Sequence, residues 1–124
     1  MDPAKTPGRL AADAAKAVRA LNHATTGGNN YTRAADVGET ASSVRTLTEE
    51  LRPSLAQMAT ALSRLGADGR IRMADDTDPV AAAADCGHAL HVARAYLDLV
   101  LEQLALVTAL TSHMRGPRNA DGQG

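Results

Sequence analysis

Two histidines and one aspartate are the side chains whose spacing best suits metal binding. His88 and His91 stand three residues apart, beside Asp85. Residues three apart share one face of a helix, and imidazole and carboxylate groups are common ligands of transition metals. A usable site needs three or four ligands, whereas histidines at this spacing are common on solvated helix faces. We therefore expect no bound metal. As an alternative, these histidines border a contact surface and make association depend on pH.

The single cysteine, Cys86, excludes an internal disulfide. As a nucleophile it would need a base, but His88 lies two residues away and points in a different direction on a helix. We therefore predict that Cys86 is a small buried thiol between helices. The sequence contains no phosphate-binding loop and no serine-hydrolase or zinc-protease motif. We expect a protein that is not an enzyme and that holds no cofactor.

An acidic segment also invites a calcium interpretation. Asp75, Asp76 and Asp78 lie close together, but the alternating oxygens, central glycine and terminal glutamate of a calcium-binding loop are missing. A solvated loop that ends in a helix cap explains these residues better.

Composition limits the fold and the partners. The 124 residues include no Phe or Trp and two Tyr, and the apolar residues are mainly alanine and leucine, which favours helices over sheets. With 13 Lys+Arg against 14 Asp+Glu, the net charge of −1 makes nucleic acid an unlikely partner. No signal peptide or membrane-length apolar stretch is visible, so we expect a cytoplasmic protein without a membrane partner.

Three helical segments are predicted within one domain, residues 6–115. The first opens at Thr6-Pro7 and runs to about Thr25, the second starts between Arg33 and Val37, and the third runs from Asp78-Pro79 to about Arg115. Asp36 and Glu39 have capping-box spacing at the second start. Pro53 should kink or restart the second helix. Residues 1–5 and 116–124 are expected to be disordered.

Two long apolar repeats with alternating steps of four and three dominate the pattern. They comprise Val37, Ala41, Val44, Thr48, Leu51, Leu55, Met58, Leu62 and Leu65, then Cys86, Leu90, Ala93, Leu97, Val100, Leu104, Val107, Thr111 and Met114. Both repeats span 28 residues, so we predict a coiled-coil-like antiparallel hairpin. Its register would place Leu65 beside Cys86 and Val37 beside Met114. The fold class is therefore all-α, a helical bundle built on this hairpin plus a shorter N-terminal helix.

The third helix carries a second apolar stripe that one partner helix cannot cover. We expect the short first helix to cover the half that contains Leu99, Leu106 and Leu110. The remaining contact patch is predicted to consist of Leu55, Ala59, Val92 and Tyr96. An exposed apolar patch of this kind usually marks an interface, and the simplest occupant is a second copy in a homodimer.

Several short segments together resemble a set of short, alanine-rich actinobacterial proteins of unassigned role. They are the octapeptide at 18–25, Ala35-Asp36-Val37, the octapeptide at 51–58 that contains Pro53, Gly69-Arg70-Ile71-Arg72, and Asp78-Pro79. The resemblance covers most of the chain. It implies an alanine-rich all-α fold and supplies no site, ligand or activity.

These observations favour a non-enzymatic, self-associating protein–protein interaction module, with a possible further protein partner. A helical bundle that binds a small ligand or a metal is the alternative. A second alternative is a DNA-associated regulator that uses the basic residues of the first helix, Arg9, Lys16 and Arg19.

Overall fold

The protein is all-helical. The computed structural model describes residues 4–117, and within this range there are three α-helices, one short 3₁₀ turn at Thr26–Gly28 and no strand. The α-helices are α1 (Pro7–Ala24), α2 (Ala34–Ala67) and α3 (Pro79–Thr111). The predicted fold class is confirmed. The ends expected to be disordered lie outside the described residues at positions 1–3 and 118–124.

Side-chain caps start two of the helices where the sequence predicted them. The hydroxyl oxygen of Thr6 accepts a hydrogen bond from the Arg9 amide at 3.2 Å, and the Asp78 carboxylate accepts one from the Val80 amide at 3.0 Å. In both helices proline occupies the first turn, where its missing N–H costs nothing. The end of α3 at Thr111 comes one turn earlier than predicted.

Helix α2 begins within the predicted interval but uses a different cap. Arg33 is the cap residue, and Asp36 stands three residues later, where its carboxylate accepts from the Arg33 amide at 3.1 Å. The predicted pairing of Asp36 with Glu39 is therefore one turn too late. Asp36 acts inside the first turn because Ala34 has already entered the helix.

Pro53 does not restart α2, which is continuous from Ala34 to Ala67. A proline inside a helix removes one backbone donor and leaves the carbonyl one turn earlier without its usual partner. Here Pro53 lies on the exposed side of the helix, where water can reach that carbonyl. The neighbouring Ser54 hydroxyl donates to the Glu50 carbonyl at 3.3 Å.

Helices α2 and α3 form the antiparallel hairpin, and small residues set their distance at both ends. Gly38 meets the side chain of Thr111, and a β-carbon at Gly66 would lie 3.5 Å from the Ala83 β-carbon. The hairpin prediction is confirmed, but the register was wrong by less than one helical turn. Because the contacts are glycine, alanine and threonine, the helices approach more closely than leucine or methionine at these points would allow.

Eight of the eighteen predicted apolar positions face the partner helix. These contact rows, all buried or half-buried, are Ala41, Thr48, Leu55 and Leu62 in α2 with Leu90, Leu97, Leu104 and Thr111 in α3. Other predicted positions are turned outward, and the exposed ones are Val37, Leu51, Met58, Cys86, Val100 and Met114. The prediction of a buried Cys86 was therefore wrong. Both helices are rotated so that smaller or polar neighbours such as Gly38 of α2 and Thr108 of α3 lie inside instead.

Helix α1 does not cover α3. Among residues 4–117, α2 and α3 are the only elements whose backbones approach closely over many residues. Leu99, Leu106 and Leu110, which α1 was expected to cover, are 56%, 50% and 53% exposed. Instead α1 stands beside the N-terminal half of α2 across an open groove. The loop geometry after α1, with left-handed Gly27, Gly28 and Asn30, directs the chain to this side.

Candidate interaction surface

One side of the hairpin is polar. An ion pair on this side shows which positions of the two helices lie on the same side. Arg52 of α2 lies 2.8 Å from the Asp98 carboxylate of α3. A small groove further along the same side is lined by residues of both helices that include His91 and Arg94. Each of these residues lies one or four positions after a contact-row residue, which turns it forward around its helix axis. Such positions of α2 and α3 therefore share the polar side.

The opposite side of the hairpin is apolar. Residues three positions after a contact-row residue turn about 60° backward, so in both helices they lie away from the Arg52–Asp98 pair. We call this surface the apolar face; its residues are Val37, Val44, Leu51, Met58 and Leu65 of α2 with Cys86, Ala93, Val100, Val107 and Met114 of α3. Met58 is 46% exposed and Val100 is 43% exposed. These rows thus form one continuous apolar side that, within residues 4–117, no other element covers closely over its length.

Little of the chain is buried. Within residues 4–117 the buried residues are all small: Ala41, Thr48, Gly66, Ala83 and Thr111. The accessible surface is 9483 Å², whereas a compact monomer of 12.8 kDa is expected to expose about 6,300 Å². Long helices joined in a hairpin expose much surface by shape alone, and much of that surface here is apolar. The isolated chain therefore has apolar area available for a partner.

A groove between α1 and α2 continues the apolar face at one end. It has a volume of about 550 Å³, and most of the surface that lines it is apolar, although polar residues contribute to both walls. Ala17, Val18 and Leu21 form the α1 wall, whereas Val44 and Leu47 belong to the α2 wall. Val44 is also part of the apolar face. The groove and the apolar face are therefore connected. We call the part that is bordered by α1 the α1–α2 groove.

Asp36 holds the end of this groove together. Its carboxylate accepts hydrogen bonds from the amide of Thr32, the hydroxyl of Thr32 and the amide of Arg33 at 3.0–3.1 Å, and it also pairs with the Arg33 guanidinium at 3.1 Å. The hydrogen bonds from Thr32, followed by those from Arg33, lower the pKa of Asp36 from 3.8 to about 2. The ionised carboxylate thereby fixes the loop that leads from α1 into α2.

The four residues predicted as an interface occupy two different places. Leu55 and Ala59 are half-buried and line the small polar-side groove of about 290 Å³ together with Leu90. Val92 and Tyr96 do not line that groove. They lie on the side of α3 that points away from α2, where Tyr96 is 64% exposed. We call the apolar residues of that side the outer stripe; they are Tyr96, Leu99, Leu106 and Leu110.

The side chains considered as metal ligands in the sequence are not joined by a further ligand within residues 4–117. Asp85, His88 and His91 are all exposed, and the part of the chain from residue 4 to 117 contains no group of three His, Cys, Asp or Glu side chains arranged to hold a metal. His91 instead shares its groove with Arg94, whose positive charge opposes cation binding there. Cys86 is exposed on the apolar face, and within residues 4–117 no hydrogen bond or ion pair joins it to a base.

Comparison with models of known protein families, with curated proteins and with solved structures gives no significant match. The function is therefore inferred from this chain's own surface. No helix in the described part of the chain is long and apolar enough to cross a bilayer.

The sequence pattern contained one signal that indicates which rows face inward. Gly38 and Gly66 lie at the two ends of one row of α2 that turns toward α3, and Arg52 of the same row pairs across the hairpin. Small residues permit close helix approach. The two glycines, beside a more apolar row of α2, could have distinguished the helix contact from an outward-facing surface.

Proposed function

We propose that this protein is a non-enzymatic interaction module that works as a homodimer. In this dimer the apolar faces of two hairpins pack against each other and form a four-helix bundle. The observation that carries the proposal is the apolar face itself, which extends along both helices and includes exposed Leu51, Met58 and Val100. A second copy is the occupant that needs no other gene product and presents the same surface in return.

The extent of the apolar face suits an interface of the size that stable dimers form. Stable protein–protein contacts bury about 800 Å² per partner. Exposed apolar residues extend on the hairpin from Val37 to Met58 and from Cys86 to Met114, so the face is long enough for a contact of this size. Burying a leucine, valine or methionine fully contributes roughly 1.5–3 kcal/mol. The face therefore offers more stabilisation than the small buried core of one protomer.

The test is the molar mass in solution and its response to a charge on the face. Light scattering should give twice the monomer mass of 12.8 kDa. Leu51→Asp should shift the protein to monomer, because two carboxylates would be placed in the centre of the contact. Leu106 is an exposed leucine of the outer stripe. Leu106→Asp is therefore the matched control and should remain dimeric. A wild-type monomer at high concentration would refute the proposal.

The Tyr96→Asp variant separates the apolar face from the interface predicted from sequence. If the patch at Val92 and Tyr96 makes the dimer, Tyr96→Asp dissociates it and Leu51→Asp does not. The apolar-face proposal requires the reverse. Circular dichroism should show the same helical content in both variants, so that a change of mass reports association rather than folding.

A small-ligand function has one supporting observation. The α1–α2 groove lies within the usual size range of small-molecule pockets, and its apolar walls carry polar groups at Asn30, Tyr31 and Glu39. This alternative predicts saturable binding of an apolar compound to the monomeric Leu51→Asp variant, with loss of binding in Val18→Asp. Metal-dependent thermal stability would instead support the metal-binding alternative.

A further inference from the structure

We propose that the two hairpins of the dimer point in opposite directions and that each α1–α2 groove receives the C-terminal half of α2 from the second copy. This inference rests on the proposed homodimer and adds its orientation and the occupant of the groove. A two-fold axis crossing the middle of the apolar face, near Leu51 and Val100, relates the copies. The N-terminal end of one α2 then lies over the C-terminal end of the other.

The position of α1 favours this occupant. Helix α1 stands on the side of α2 that is away from α3, and its wall of the groove adjoins the apolar face at Val44. With the axis near Leu51, Met58 of the partner subunit lies over Val44, since both are seven residues from the axis. The partner helix therefore runs past the inner side of α1, where Val18 and Leu21 face the groove.

Helix lengths favour opposite directions over a common direction. Helix α1 has 18 residues and α2 has 34, or about 27 Å and about 51 Å at 1.5 Å per residue. One α1 thus flanks about half of α2. When the copies point in opposite directions, the two α1 helices flank opposite halves of the paired α2 helices and together match their whole length. When the copies point the same way, both α1 helices gather at one end and the other end stays open.

Charge complementarity favours the same orientation. Helix α1 contains Lys16 and Arg19, for which no ion pair occurs within the described chain, whereas its other basic side chain Arg9 is near Asp13. Residues 67–85, at the far end of the hairpin, carry five aspartates against two arginines. Opposite directions bring the basic end of each copy beside the acidic end of the other. A common direction would place like-charged ends together.

Cys86, the natural single cysteine, provides a direct measure of orientation. It lies on the apolar face 14 residues from Val100, so in opposite directions two spin labels at Cys86 are separated by about 42 Å along the helices. In a common direction they lie in one layer of the bundle, within about 20 Å. Pulsed dipolar spectroscopy of the labelled full chain should give the long distance. A short distance in a sample of dimeric mass would overturn the orientation while retaining the dimer.

Engineered cysteines test the groove occupant without a label on Cys86. In a Cys86→Ser background, Val44→Cys mixed with Met58→Cys should form a disulfide-linked heterodimer upon oxidation, whereas either variant alone should not. Leu51→Cys near the axis should link to itself. Strong self-linking of Val44→Cys, with none to Met58→Cys, contradicts the proposed occupant. If light scattering finds only monomers and no pair links, the homodimer itself fails.

Discussion

Asp36 joins the loop after α1 to the first turn of α2. Its carboxylate satisfies backbone N–H groups that the start of a helix leaves without partners, and it also binds the hydroxyl of Thr32. The side chain is surface-exposed enough to titrate freely, yet these hydrogen bonds favour its charged form. The residue therefore couples pH to the geometry of the α1–α2 groove.

The Asp36→Ala variant should have a lower melting temperature than wild type at neutral pH. Because folding lowers the pKa of Asp36 from 3.8 to about 2, its stabilisation is fully present above about pH 4 and is lost as the pH falls toward 2. The difference between the two proteins should shrink over that interval in thermal melts. Asp85→Ala, which removes an exposed aspartate whose side chain makes no hydrogen bond within residues 4–117, should show no such convergence. A constant difference down to pH 2 would contradict the role assigned to Asp36.

Replacement of glycine by alanine should have opposite effects on stability at Gly38 and at Gly87. An alanine β-carbon at Gly38 would collide with the Thr111 side chain, whereas at Gly87 it would meet nothing within 4 Å. Glycine to alanine in an open helix position stabilises by about 1 kcal/mol. Gly87→Ala should therefore raise the midpoint of urea unfolding. Gly38→Ala should lower this midpoint, because the helices must separate at that end. A higher midpoint would show that the Thr111 side chain moves aside at little cost.

At the scale of the elements, α1 is a helix that packs closely against no other helix within residues 4–117. Most of its apolar residues are alanines, so a continuous backbone contact with α2 would bury little area, and the left-handed loop places it across a groove instead. An amphipathic helix that is held at one end only is suited to closing over a partner.

Leu21→Asp should weaken the dimer roughly tenfold or more, because it places a charge on the α1 wall that the proposed partner helix contacts. Ala20→Asp, the matched control on the exposed side of the same helix, should leave the dissociation constant nearly unchanged. Sedimentation at several dilutions measures both. Equal effects of the two variants would mean that α1 acts through its total charge and not through the groove.

For the whole molecule, stability depends on how much apolar surface is buried and how much stays exposed. Within residues 4–117 the buried residues are glycine, alanine and threonine, so apolar burial contributes little free energy to offset the loss of conformational entropy on folding. Association supplies apolar burial that the hairpin alone lacks. Folding and dimerisation are then linked by mass action.

The melting temperature of the wild type should therefore rise with protein concentration. The Leu51→Asp variant should melt at a lower temperature that does not depend on concentration, since the monomer gains nothing from mass action. Differential scanning calorimetry over about a hundredfold range of concentration distinguishes the two cases. Concentration-independent melting of the wild type would contradict the linkage of folding to dimerisation, because a dimer that unfolds to separate chains melts at a higher temperature when it is more concentrated.

Local chemistry determined much of what the sequence predicted correctly. The all-α class follows from alanine and leucine, the starts of α1 and α3 follow from Thr6-Pro7 and Asp78-Pro79, and the hairpin follows from two repeats of equal length. Each depends on residues close together in the chain. Such signals can be interpreted without knowing what lies opposite them.

Rotation and docking depended on tertiary structure. The most apolar rows were expected to face each other, but the glycines at 38 and 66 let the helices approach through smaller side chains, and Leu51, Met58 and Val100 were turned outward. Helix α1 was expected to cover Leu99, Leu106 and Leu110, yet the loop after it leads to the opposite side of α2. Hydrophobic periodicity identifies which side of a helix avoids water, whereas the fit of side chains decides which neighbour covers that side.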